Sequence, residues 1–463
     1  MKYDLAIVGS GAAGFAAAIA ARSRGLQVLM VESGTVGGTC VNVGCIPSKA
    51  LLAAAAARQV ALEKRFPGVV TQAGPVNMAA LVDGKKQIVE SLRQEKYLDL
   101  SRSYGWEIRR GSAMFVSGPA LEVAGETIEA EHYMIATGAS PSMPPIAGLD
   151  GGPYLTSTTA MDLDRVPDSL LVVGGNYVGL ELGQLFARLG SQVTMVEALP
   201  RLAPAEEPEI SHAIAQVLAD EGIEVLVSTS IAAVGWHGTR PRVRLEGGVK
   251  REVGAEMLLF ATGRHPNTSG LGLEEVGVEL GPNGEVVVDS GLRTTNPRVW
   301  AGGDVTGAAQ FVYVAAAHGT SMVENAFFAG VKKIYYRYLP RVTFTSPAIA
   351  SVGLTDQEAA GSGLQCICSV LPLAYVPRAI VDRDTRGLVK IVADASSRRV
   401  LGVHILAEGA GDMVLAATYA LQAEMTVEQL AQTWCPYLTM AEGIKLAAQA
   451  FDRDVSKLSC CAG

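Results

Sequence analysis

Cysteine thiols are the side chains with the most distinctive chemistry in this 463-residue chain, which contains seven of them. Cys40 and Cys45 are separated by four residues at the head of a predicted helix, a spacing that can bring two thiols into disulfide range. Pro47 in the first turn leaves helix-terminal N–H groups free to lower a thiol pKa. Cys460 and Cys461 are adjacent, closer than disulfide geometry prefers, so this pair favours a soft cation. The two pairs predict redox or soft-metal chemistry.

Other interpretations of the cysteines stay open on sequence alone. A zinc site usually has more tightly spaced cysteines and two further ligands, which no nearby His or Cys supplies to Cys40 and Cys45. The terminal pair could be a feature of a frayed chain end without a role. Cys366 and Cys368 are two apart in a predicted strand and face one way, which is most simply explained by packing. Cys435 is interpreted as a buried small residue, and none of these last three receives a role.

Composition and charge narrow the class of protein. The chain has 38 Lys and Arg against 46 Asp and Glu, a net charge of −8, which argues against a nucleic-acid or anionic-membrane partner. Its length predicts two to four domains. The small-residue stretch 11–21 is interrupted by Arg22 before it could span a bilayer. We therefore predict a soluble, cytoplasmic protein.

The N-terminal segment carries a complete dinucleotide-binding pattern. An apolar strand leads into Gly9, Gly11 and Gly14, an alanine-rich helix follows, and a second strand ends at Glu32. Glycines here allow a tight turn and close approach of a pyrophosphate, the helix N-terminus supplies oriented N–H groups, and the acid accepts from a ribose hydroxyl. A bound dinucleotide is therefore predicted. The predicted bounds are Tyr3 to Val8 for the first strand, a helix to about Arg24, and Gln27 to Val31 for the second strand.

The same pattern recurs in the middle of the chain, where an apolar strand leads into Gly174 and Gly179 and a later strand ends at Glu197. Asn176 occupies the second glycine position, where a side chain would crowd a pyrophosphate unless the loop shifts. Glu197 favours an unphosphorylated ribose, whereas Arg201 lies close enough in sequence to offset the repulsion of a 2′-phosphate. We predict a second dinucleotide site whose coenzyme stays open. The predicted bounds are Leu170 to Val173, a helix to about Leu189, and Gln192 to Val196.

Residues 37–49, with the sequence GGTCVNVGCIPSK, closely resemble the redox-active loop of the class I pyridine nucleotide–disulfide oxidoreductases. Residues 136–138 and 261–264 resemble the turns that close the family's two nucleotide domains. Residues 301–305 resemble its ribityl-binding segment, and 343–353 resemble the opening of its dimerisation domain. The resemblance implies FAD in the first site, NADPH in the second with NADH as the alternative, and a homodimer whose active sites are shared between subunits.

The resemblance also implies roles for residues around the loop. In the family the first cysteine is the interchange thiol and the second faces the flavin, which gives these roles to Cys40 and Cys45. Lys49 matches the lysine beside the flavin, Glu181 matches its acidic partner, and Tyr177 matches the aromatic residue that covers the nicotinamide pocket. The implied FAD-binding residues are Gly9, Gly11, Gly14, Glu32, Gly38, Thr39, Lys49, Thr137, Gly138, Gly303 and Asp304. The implied nicotinamide-dinucleotide residues are Gly174, Tyr177, Gly179, Glu197 and Gly263.

The C-terminal segment departs from the disulfide reductases of this family. They carry a His–Glu pair there, and counting back from Glu442, the position of the His is occupied by Tyr437. A phenol with an ordinary pKa near 10 is a poor proton shuttle at neutral pH. The missing base, together with Cys460 and Cys461, resembles the branch of the family that reduces mercuric ion. Hg(II) moves between thiolate pairs and needs no proton shuttle.

We therefore predict flavin-dependent reduction of thiol-bound Hg(II) to Hg(0) by NAD(P)H. Cys460 and Cys461 of one subunit would pass the ion to Cys40 and Cys45 of the other, which makes these four cysteines the predicted metal ligands. Tyr177 and Tyr437 would line the handover. One alternative is a dihydrolipoamide dehydrogenase or another disulfide reductase, against which the missing His stands. Another is a mercury-sequestering protein without turnover, against which the second nucleotide site stands.

The elements that must position these residues predict an α/β fold. Two Rossmann-like dinucleotide-binding domains are expected, followed by a C-terminal α+β dimerisation domain. The predicted segments are 1–150 for the first part of the FAD-binding domain, 151–268 for the nicotinamide-dinucleotide-binding domain, 269–338 for the second part of the FAD-binding domain, and 339–463 for the dimerisation domain with its Cys-Cys tail.

Overall fold

The computed structural model describes residues 3–328 and 330–457. Its architecture is mixed α/β, with two parallel five-stranded sheets and one antiparallel five-stranded sheet, which confirms the predicted fold class. Cys460 and Cys461 lie outside the described residues, so the terminal cysteine pair stays a prediction.

The first sheet is parallel and carries the N-terminal fingerprint at the end of its central strand. That strand is buried almost throughout, as expected when helices cover both faces of a parallel sheet. Behind the fingerprint, the helices Ala12–Arg22 and Val312–Phe327 pack so closely that a Cβ at Gly319 would lie 2.1 Å from the carbonyl oxygen of Ala13. In spatial order the strands are Val299–Ala301, Ala130–Ile135, Tyr3–Val8, Val28–Glu32 and Glu107–Arg110.

The second sheet repeats this arrangement around the strand Ser169–Val173. The helix Tyr177–Leu189 follows it and is buried along nearly its whole length. It packs against the helix Cys45–Glu63, so the cysteine loop of the first unit lies against the second. The helix end and the strand Gln192–Val196 agree with the predicted bounds. In spatial order the strands are Glu224–Leu226, Gln192–Val196, Ser169–Val173, Met257–Phe260 and Leu155–Thr156.

The third sheet is antiparallel and belongs to the C-terminal part of the chain. One face forms an apolar core with the helices Ala410–Gln422 and Glu442–Gln449. The other face places Lys390 and His404 against the start of the helix Pro208–Asp220, which follows the second sheet's fingerprint unit. In spatial order the strands are Arg341–Thr343, Ala348–Gly353, Val400–Ala407, Leu388–Asp394 and Cys366–Pro372.

Smaller strands and further helices complete the described chain. The small sheets consist of Ala113–Val116, Ala120–Val123 and Glu126–Ile128; of Thr229–His237, Arg240–Gly247 and Glu252–Gly254; and of Ala139–Pro141 with Arg264–Pro266. The other α-helices are Gly38–Val43, Met78–Arg93, Asp99–Tyr104, Ser157–Ala160, Asp356–Gly361, Pro377–Val381 and Val427–Gln432, with a π-helical turn at Gln94–Leu98.

One helical stretch, Gly38–Glu63, is long and apolar enough to cross a membrane by length and composition. It consists of two consecutive helices, Gly38–Val43 and Cys45–Glu63. Arg58 in the second of them donates from Nη1 to the carbonyl oxygen of Arg188 at 2.6 Å. This hydrogen bond joins the stretch to the helix Tyr177–Leu189, against which it packs.

Candidate active site

A cavity of about 1130 Å³ brings most of the predicted site residues together. Its wall is formed by the first fingerprint turn, the cysteine loop and the start of the helix Tyr177–Leu189. The predicted residues that line it are Gly9, Gly11, Glu32, Gly38, Thr39, Cys40, Cys45, Lys49, Thr137, Gly138, Tyr177, Glu181, Gly303 and Asp304.

The three glycines of the first fingerprint differ in what surrounds them. Gly9 has a φ of +104°, and a Cβ there would lie 2.4 Å from the carbonyl oxygen of Ala136. At Gly14 a Cβ would lie 2.3 Å from the carbonyl oxygen of Gly9. Gly11 faces open space, because the nearest atom to its Cβ position is Gly38 Cα at 4.0 Å. The absence of side chains at these glycines leaves the backbone accessible at the helix N-terminus, so a pyrophosphate can approach it closely.

Glu32 is held in place at the end of its strand. One carboxylate oxygen accepts from the Ser10 N–H at 2.9 Å and from Ser10 Oγ at 2.6 Å, and the other accepts from the Gly34 N–H at 2.6 Å. Ser10 Oγ in turn accepts from the Gly37 N–H at 3.0 Å. These bonds fix the carboxylate at the cavity wall, where the fingerprint pattern places a ribose.

Cys40 and Cys45 are free thiols on either side of a break between two helices. Gly44 forms the break, and a Cβ there would lie 2.9 Å from the carbonyl oxygen of Thr39, so only glycine lets the two turns pack this closely. A hydrogen bond from the Cys40 thiol, opposed by burial and assisted by the Lys49 ammonium, lowers the pKa of Cys45 to about 7. The same hydrogen bond and burial raise the pKa of Cys40. At neutral pH about half of the molecules therefore hold a thiolate at Cys45, the reactive form of the side chain.

The predicted Lys49–Glu181 ion pair is present, and both side chains contact Phe344, for which the sequence predicted no role. Lys49 Nζ lies 2.7 Å from Glu181 Oε2, and the Glu181 side chain is 8% exposed. Glu181 Oε1 accepts from the backbone N–H of Phe344 at 2.9 Å, and the ring of Phe344 lies 4.5 Å from Lys49 Nζ. Phe344 therefore contacts both partners and fixes the position of the cation near the thiols.

Asn267 secures the turn that contains Thr137 and Gly138. Thr137 Oγ1 donates to the carbonyl oxygen of Asn267 at 2.7 Å, and Asn267 Nδ2 donates to the carbonyl oxygen of Thr137 at 2.9 Å. The Asn267 N–H also donates to the carbonyl oxygen of Gly138 at 2.9 Å. Asn267 is not among the residues predicted from the sequence. Its one signal is its position three residues after the turn at 261–264, which the family resemblance identifies.

The turn at Gly303 and Asp304 has two further supports that the sequence did not identify. His318 Nδ1 accepts from the Gly303 N–H at 3.1 Å, and burial lowers the pKa of His318 to about 4, so the ring is neutral. Burial raises the pKa of Asp304, while Arg264 opposes that shift from 3.9 Å. Arg264 Nε is buried without a hydrogen-bond partner in the described structure and lies in the cavity wall, which fits a ligand with acceptor groups.

The second fingerprint repeats the first with one change. Gly174 has a φ of +106°, and a Cβ there would lie 2.4 Å from the carbonyl oxygen of Ala261. At Gly179 a Cβ would lie 1.8 Å from the carbonyl oxygen of Gly174. Asn176, in the second glycine position, caps the helix, since its Oδ1 accepts from the Tyr177 N–H at 3.0 Å. Its side chain is therefore turned onto its own helix.

Glu197 is fixed in the same way as Glu32. Its carboxylate accepts from the Gly175 N–H at 2.6 Å and from the Leu199 N–H at 2.8 Å, and the residue is buried. Arg201 Nη2 donates instead to the carbonyl oxygen of Pro204 at 2.8 Å. Arg201, the residue that the sequence suggested for contact with a 2′-phosphate, is thus bound to a backbone carbonyl. The fixed carboxylate of Glu197 favours an unphosphorylated ribose.

Several predicted or noted residues do not line the cavity. Tyr437 is 47% exposed and lies outside the wall. Cys435 is half-buried rather than fully buried, and Cys368 is exposed, so the packing interpretation is wrong for Cys368. The other predicted residues outside the cavity wall are Gly14, Gly174, Gly179, Glu197 and Gly263.

The described part of the chain contains no large cluster of side chains that could bind a metal ion. Within residues 3–328 and 330–457, no group of three or more His, Cys, Asp or Glu side chains could hold a metal ion. A structural zinc site of four ligands is therefore not formed by the described residues. Two thiolates are enough for a soft cation that prefers few ligands.

Sequence comparison places the chain among flavoprotein reductases. It is 56% identical to a mercuric reductase of Streptomyces lividans, covering all of this chain and 98% of that one. It is 49% identical to a mercuric reductase of Bacillus cereus, covering all of this chain and 73% of the other. A mercuric reductase of Shigella flexneri is 42% identical, with 99% of this chain and 82% of that one covered.

Solved structures and family models agree with this placement. The Cu(II) complex of the HOCl-induced flavoprotein disulfide reductase RclA from Escherichia coli is 29% identical with a TM-score of 0.88, covering 97% of this chain and 99% of that one. LpdA from Mycobacterium tuberculosis is also 29% identical, with a TM-score of 0.86 and the same coverage. Residues 3–319 match the model for pyridine nucleotide-disulphide oxidoreductases, and residues 339–448 match the model for their dimerisation domain. The chain therefore belongs to the pyridine nucleotide-disulphide oxidoreductase family and uses a flavin and a pyridine nucleotide.

Proposed function

We propose that this protein is a flavin-dependent enzyme that reduces Hg(II) to Hg(0) with electrons from a nicotinamide coenzyme. The observation that carries the proposal is the pair of free thiols, Cys40 and Cys45, in the wall of the cavity that also contains the first fingerprint turn. The full-length similarity to proteins named mercuric reductase supports the choice of substrate.

FAD would be held by the first fingerprint, by Glu32 and by the turn at Asp304. The open space at Gly11 fits a ligand that carries phosphates, and so does Arg264 Nε, which has no hydrogen-bond partner among the described residues. When bound, FAD supplies two-electron transfer between a nicotinamide and a thiol pair. Segments 1–150 and 269–338 would form one unit around it. The strand Val299–Ala301 beside Ala130–Ile135 supports this, since it joins the second segment to the first sheet.

The second dinucleotide would be a nicotinamide coenzyme held by Gly174, Gly179, Glu197 and Gly263, with Tyr177 at its reactive end. Tyr177 supports this because it begins the second fingerprint helix and also lines the cavity of the thiol pair. Burial raises the pKa of Tyr177, so the ring is neutral. We propose NADPH on the family resemblance, with NADH as the alternative that Glu197 favours.

The thiol pair would bind the substrate directly. Cys45 supplies a thiolate at neutral pH, and Cys40 gives up its proton to the thiolate that Hg(II) leaves behind. The ion would then be held between two thiolates, take up two electrons and leave as Hg(0), which has little affinity for thiolate. Lys49 lies beside the pair and forms an ion pair with Glu181, which holds the ammonium group near the thiols.

The departing thiolate takes its proton from Cys40, so the reaction needs no acid at position 437, which agrees with a tyrosine there. The family's disulfide reductases use a histidine there, and a phenol with an ordinary pKa near 10 does not replace it. We propose that Tyr437 and Tyr177 line the path of the ion, with Tyr437 contributed by the partner subunit. Tyr437 is 47% exposed, as is common for a residue at a subunit interface when one chain is considered alone.

A homodimer would complete the site. The segment that matches the family's dimerisation domain exposes large apolar side chains, including Leu415, Tyr419 and Trp434, and Trp434 is 98% exposed. A face of this kind is typical of a protein interface. We propose that Cys460 and Cys461 of one subunit deliver Hg(II) to Cys40 and Cys45 of the other, because a tethered thiol pair raises the effective concentration of the ion at the entrance.

An anaerobic activity comparison tests the proposed reaction. Coenzyme oxidation is followed with mercuric ion in excess thiol, with lipoamide and with glutathione disulfide, using NADPH and NADH in turn. We expect a mercury-dependent rate and negligible rates with both disulfides. Fast turnover of lipoamide without a mercury-dependent rate would instead identify a dihydrolipoamide dehydrogenase.

The delivery step has its own test. Replacing Cys460 and Cys461 together by Ala should cripple turnover of thiol-complexed mercury, because the ion loses its route to the inner pair. Reduction of the flavin by coenzyme should stay intact, since the tail takes no part in it. Unchanged turnover at physiological thiol concentrations would contradict delivery by the tail while leaving the proposed reaction standing.

A further inference from the structure

A second pair of cysteines lies on an edge strand far along the chain from the cavity residues. Cys366 and Cys368 begin the strand Cys366–Pro372, which pairs on one side only, with Leu388–Asp394, and so forms the edge of the third sheet. Cys368 is exposed and Cys366 is half-buried. Neither residue lines the cavity of the redox pair.

The strand geometry points both thiols to one face at a separation that a two-coordinate cation can bridge. Residues two apart on a strand project to the same side, with Cα atoms about 6.7 Å apart. Two metal–sulfur bonds of about 2.3 Å each place the sulfur atoms of a linear site about 4.6 Å apart. Side chains that lean toward each other by about 1 Å apiece close that difference, whereas a disulfide between them would require much closer sulfur atoms.

The surroundings of the edge pair carry negative charge. Asp394 lies directly across the sheet from Cys366, and the Cys366 thiol lies 3.8 Å from the carbonyl oxygen of Asp356. The nearby Lys390 ammonium is bound by Glu207 at 2.9 Å and by the Asp356 carboxylate at 2.8 Å. It also lies 3.0 Å from a carboxylate oxygen of a third acidic residue, Glu209. Lys390 is thus more than balanced by carboxylates, and its charge does not oppose a Hg(II) ion held between the two thiols.

We propose that Cys366 and Cys368 form a second two-thiol site for a soft cation, with Hg(II) as the representative ligand. A small-thiol complex RS–Hg–SR would exchange both ligands. Two Cys–S–Hg bonds form, two RS–Hg bonds break, and the two cysteine protons pass to the departing thiolates as RSH. No electron moves in this step, so no oxidant or reductant is needed.

The site would hold mercury without reducing it. Two-electron reduction in this family depends on the flavin, and the predicted flavin-binding residues line a cavity to which the edge pair does not belong. The inference goes beyond the proposed reaction and does not depend on it, because thiolate affinity for soft cations suffices. We therefore expect each chain to bind one Hg(II) ion more than the cysteines of the proposed reaction can hold.

Equilibrium binding to the full-length protein tests the site. The holoenzyme, with its Cys40–Cys45 pair oxidised and without coenzyme, is equilibrated with Hg(II) in excess monothiol, and bound metal is measured after gel filtration. We expect the double variant Cys366→Ser/Cys368→Ser to retain one ion fewer per chain than the wild type. The single variant Cys366→Ser should lose the same ion, because one thiolate does not compete with excess monothiol. The matched control Val370→Thr changes the same strand face without a thiol and should keep the wild-type amount.

A second measurement keeps the proposal testable if the double variant folds poorly. In the wild type, Hg(II) should protect both Cys366 and Cys368 from alkylation by N-ethylmaleimide, as read by mass spectrometry of the peptide that contains them. Equal mercury content in the double variant and the wild type would overturn the site. Equal alkylation of the two thiols with and without Hg(II) would overturn it as well.

Discussion

The two cysteine pairs of the described chain each lie near a lysine, but their surroundings shift the pKa values of Cys45 and Cys368 in opposite directions. Cys40 and Cys45 lie near Lys49, and Cys366 and Cys368 lie near Lys390. A hydrogen bond from the neighbouring thiol, with help from the lysine, lowers the pKa of Cys45 to about 7. Desolvation by the surrounding protein atoms, with the negative charges of Asp356 and Glu207, raises the pKa of Cys368 to about 12, although its side chain is exposed and Lys390 opposes the shift.

Most of this difference has two causes, because the hydrogen bond from Cys40 is the largest cause at Cys45 and burial is the largest cause at Cys368. The two lysines add a smaller effect that lowers the pKa in both places, and they differ in how many carboxylates share them. Lys49 has one ion-pair partner among the described residues, Glu181, and its side chain stays 33% exposed, so its charge acts on the adjacent thiol. Lys390 is 1% exposed and is bound by three carboxylates. Burial alone would lower the pKa of Lys390, but its hydrogen bonds to these carboxylates outweigh burial and raise it. Both lysines thus lower the pKa of a neighbouring thiol, but only the charge of Lys390 is already balanced by several carboxylates.

Replacing one cysteine in each pair should give the largest contrast. Cys45→Ser removes the ready thiolate of the redox pair, and we expect turnover of Hg(II) to fall by more than about a thousandfold. Cys368→Ser changes an exposed side chain outside the cavity, and turnover should stay within about twofold of the wild type. The measurement is the initial rate of mercury-dependent coenzyme oxidation in both variants, each loaded with flavin. Similar losses of turnover in the two variants would contradict the view that only the Cys40–Cys45 pair takes part in the reaction.

Removing Lys390 should cost stability rather than activity. Lys390→Met leaves Glu207, which is fully buried, without its cation, and breaking a buried ion pair in this way costs about 3 to 5 kcal/mol. Urea unfolding should therefore show an earlier transition, while the turnover of the folded variant stays unchanged.

Lys85→Met is a matched control for this substitution. Lys85 is also a buried lysine, but its partner Asp162 is half-exposed, so water replaces the lost cation and the loss of stability should be smaller. Equal losses in the two variants would mean that burial of the lysine, and not the number of buried carboxylates, sets the cost.

Some of the site follows from local sequence because the signals are short-range. The strand Tyr3–Val8, the helix end at Leu189 and the strand Gln192–Val196 agree with prediction, since glycine turns and apolar runs fix them within a few residues. The cysteine loop is equally local, and Gly44 allows its two turns to meet. The first helix ends at Arg22 rather than near Arg24, a difference of the size usual at helix ends.

The rest depends on contacts between distant parts of the chain. Phe344 reaches the Lys49–Glu181 pair from the third sheet, and Asn267 reaches Thr137 across more than a hundred residues. No local periodicity predicts either contact. Cys368 was expected to pack because cysteine is commonly buried, but the strand lies at a sheet edge, and edge position depends on the whole topology.

The contribution of Lys49 can be measured through the pH dependence of Cys45. The thiolate is the reactive form, so alkylation of the reduced enzyme should rise as the pH increases through about 7 and level off above it. In Lys49→Met the stabilising charge is gone and the midpoint should move to higher pH. Each unit of that shift lowers the thiolate fraction about tenfold at a pH below the midpoint. Lys390→Met should leave the midpoint in place, and a shift there would show long-range coupling between the pairs.

The smallest effect is expected at the ring that lies beside the active lysine. Phe344→Ala keeps the backbone N–H that donates to Glu181 but removes the ring 4.5 Å from Lys49 Nζ. A cation–π contact of this kind contributes about 0.5 to 1 kcal/mol, so we expect turnover to fall about two- to fivefold and the Cys45 midpoint to rise slightly. Phe328→Ala removes a ring 4.2 Å from the Arg24 guanidinium, outside the cavity wall, and should change neither quantity. If Phe344→Ala lowers turnover without moving the midpoint, the ring contacts the substrate rather than the lysine, and Glu181 alone positions the charge.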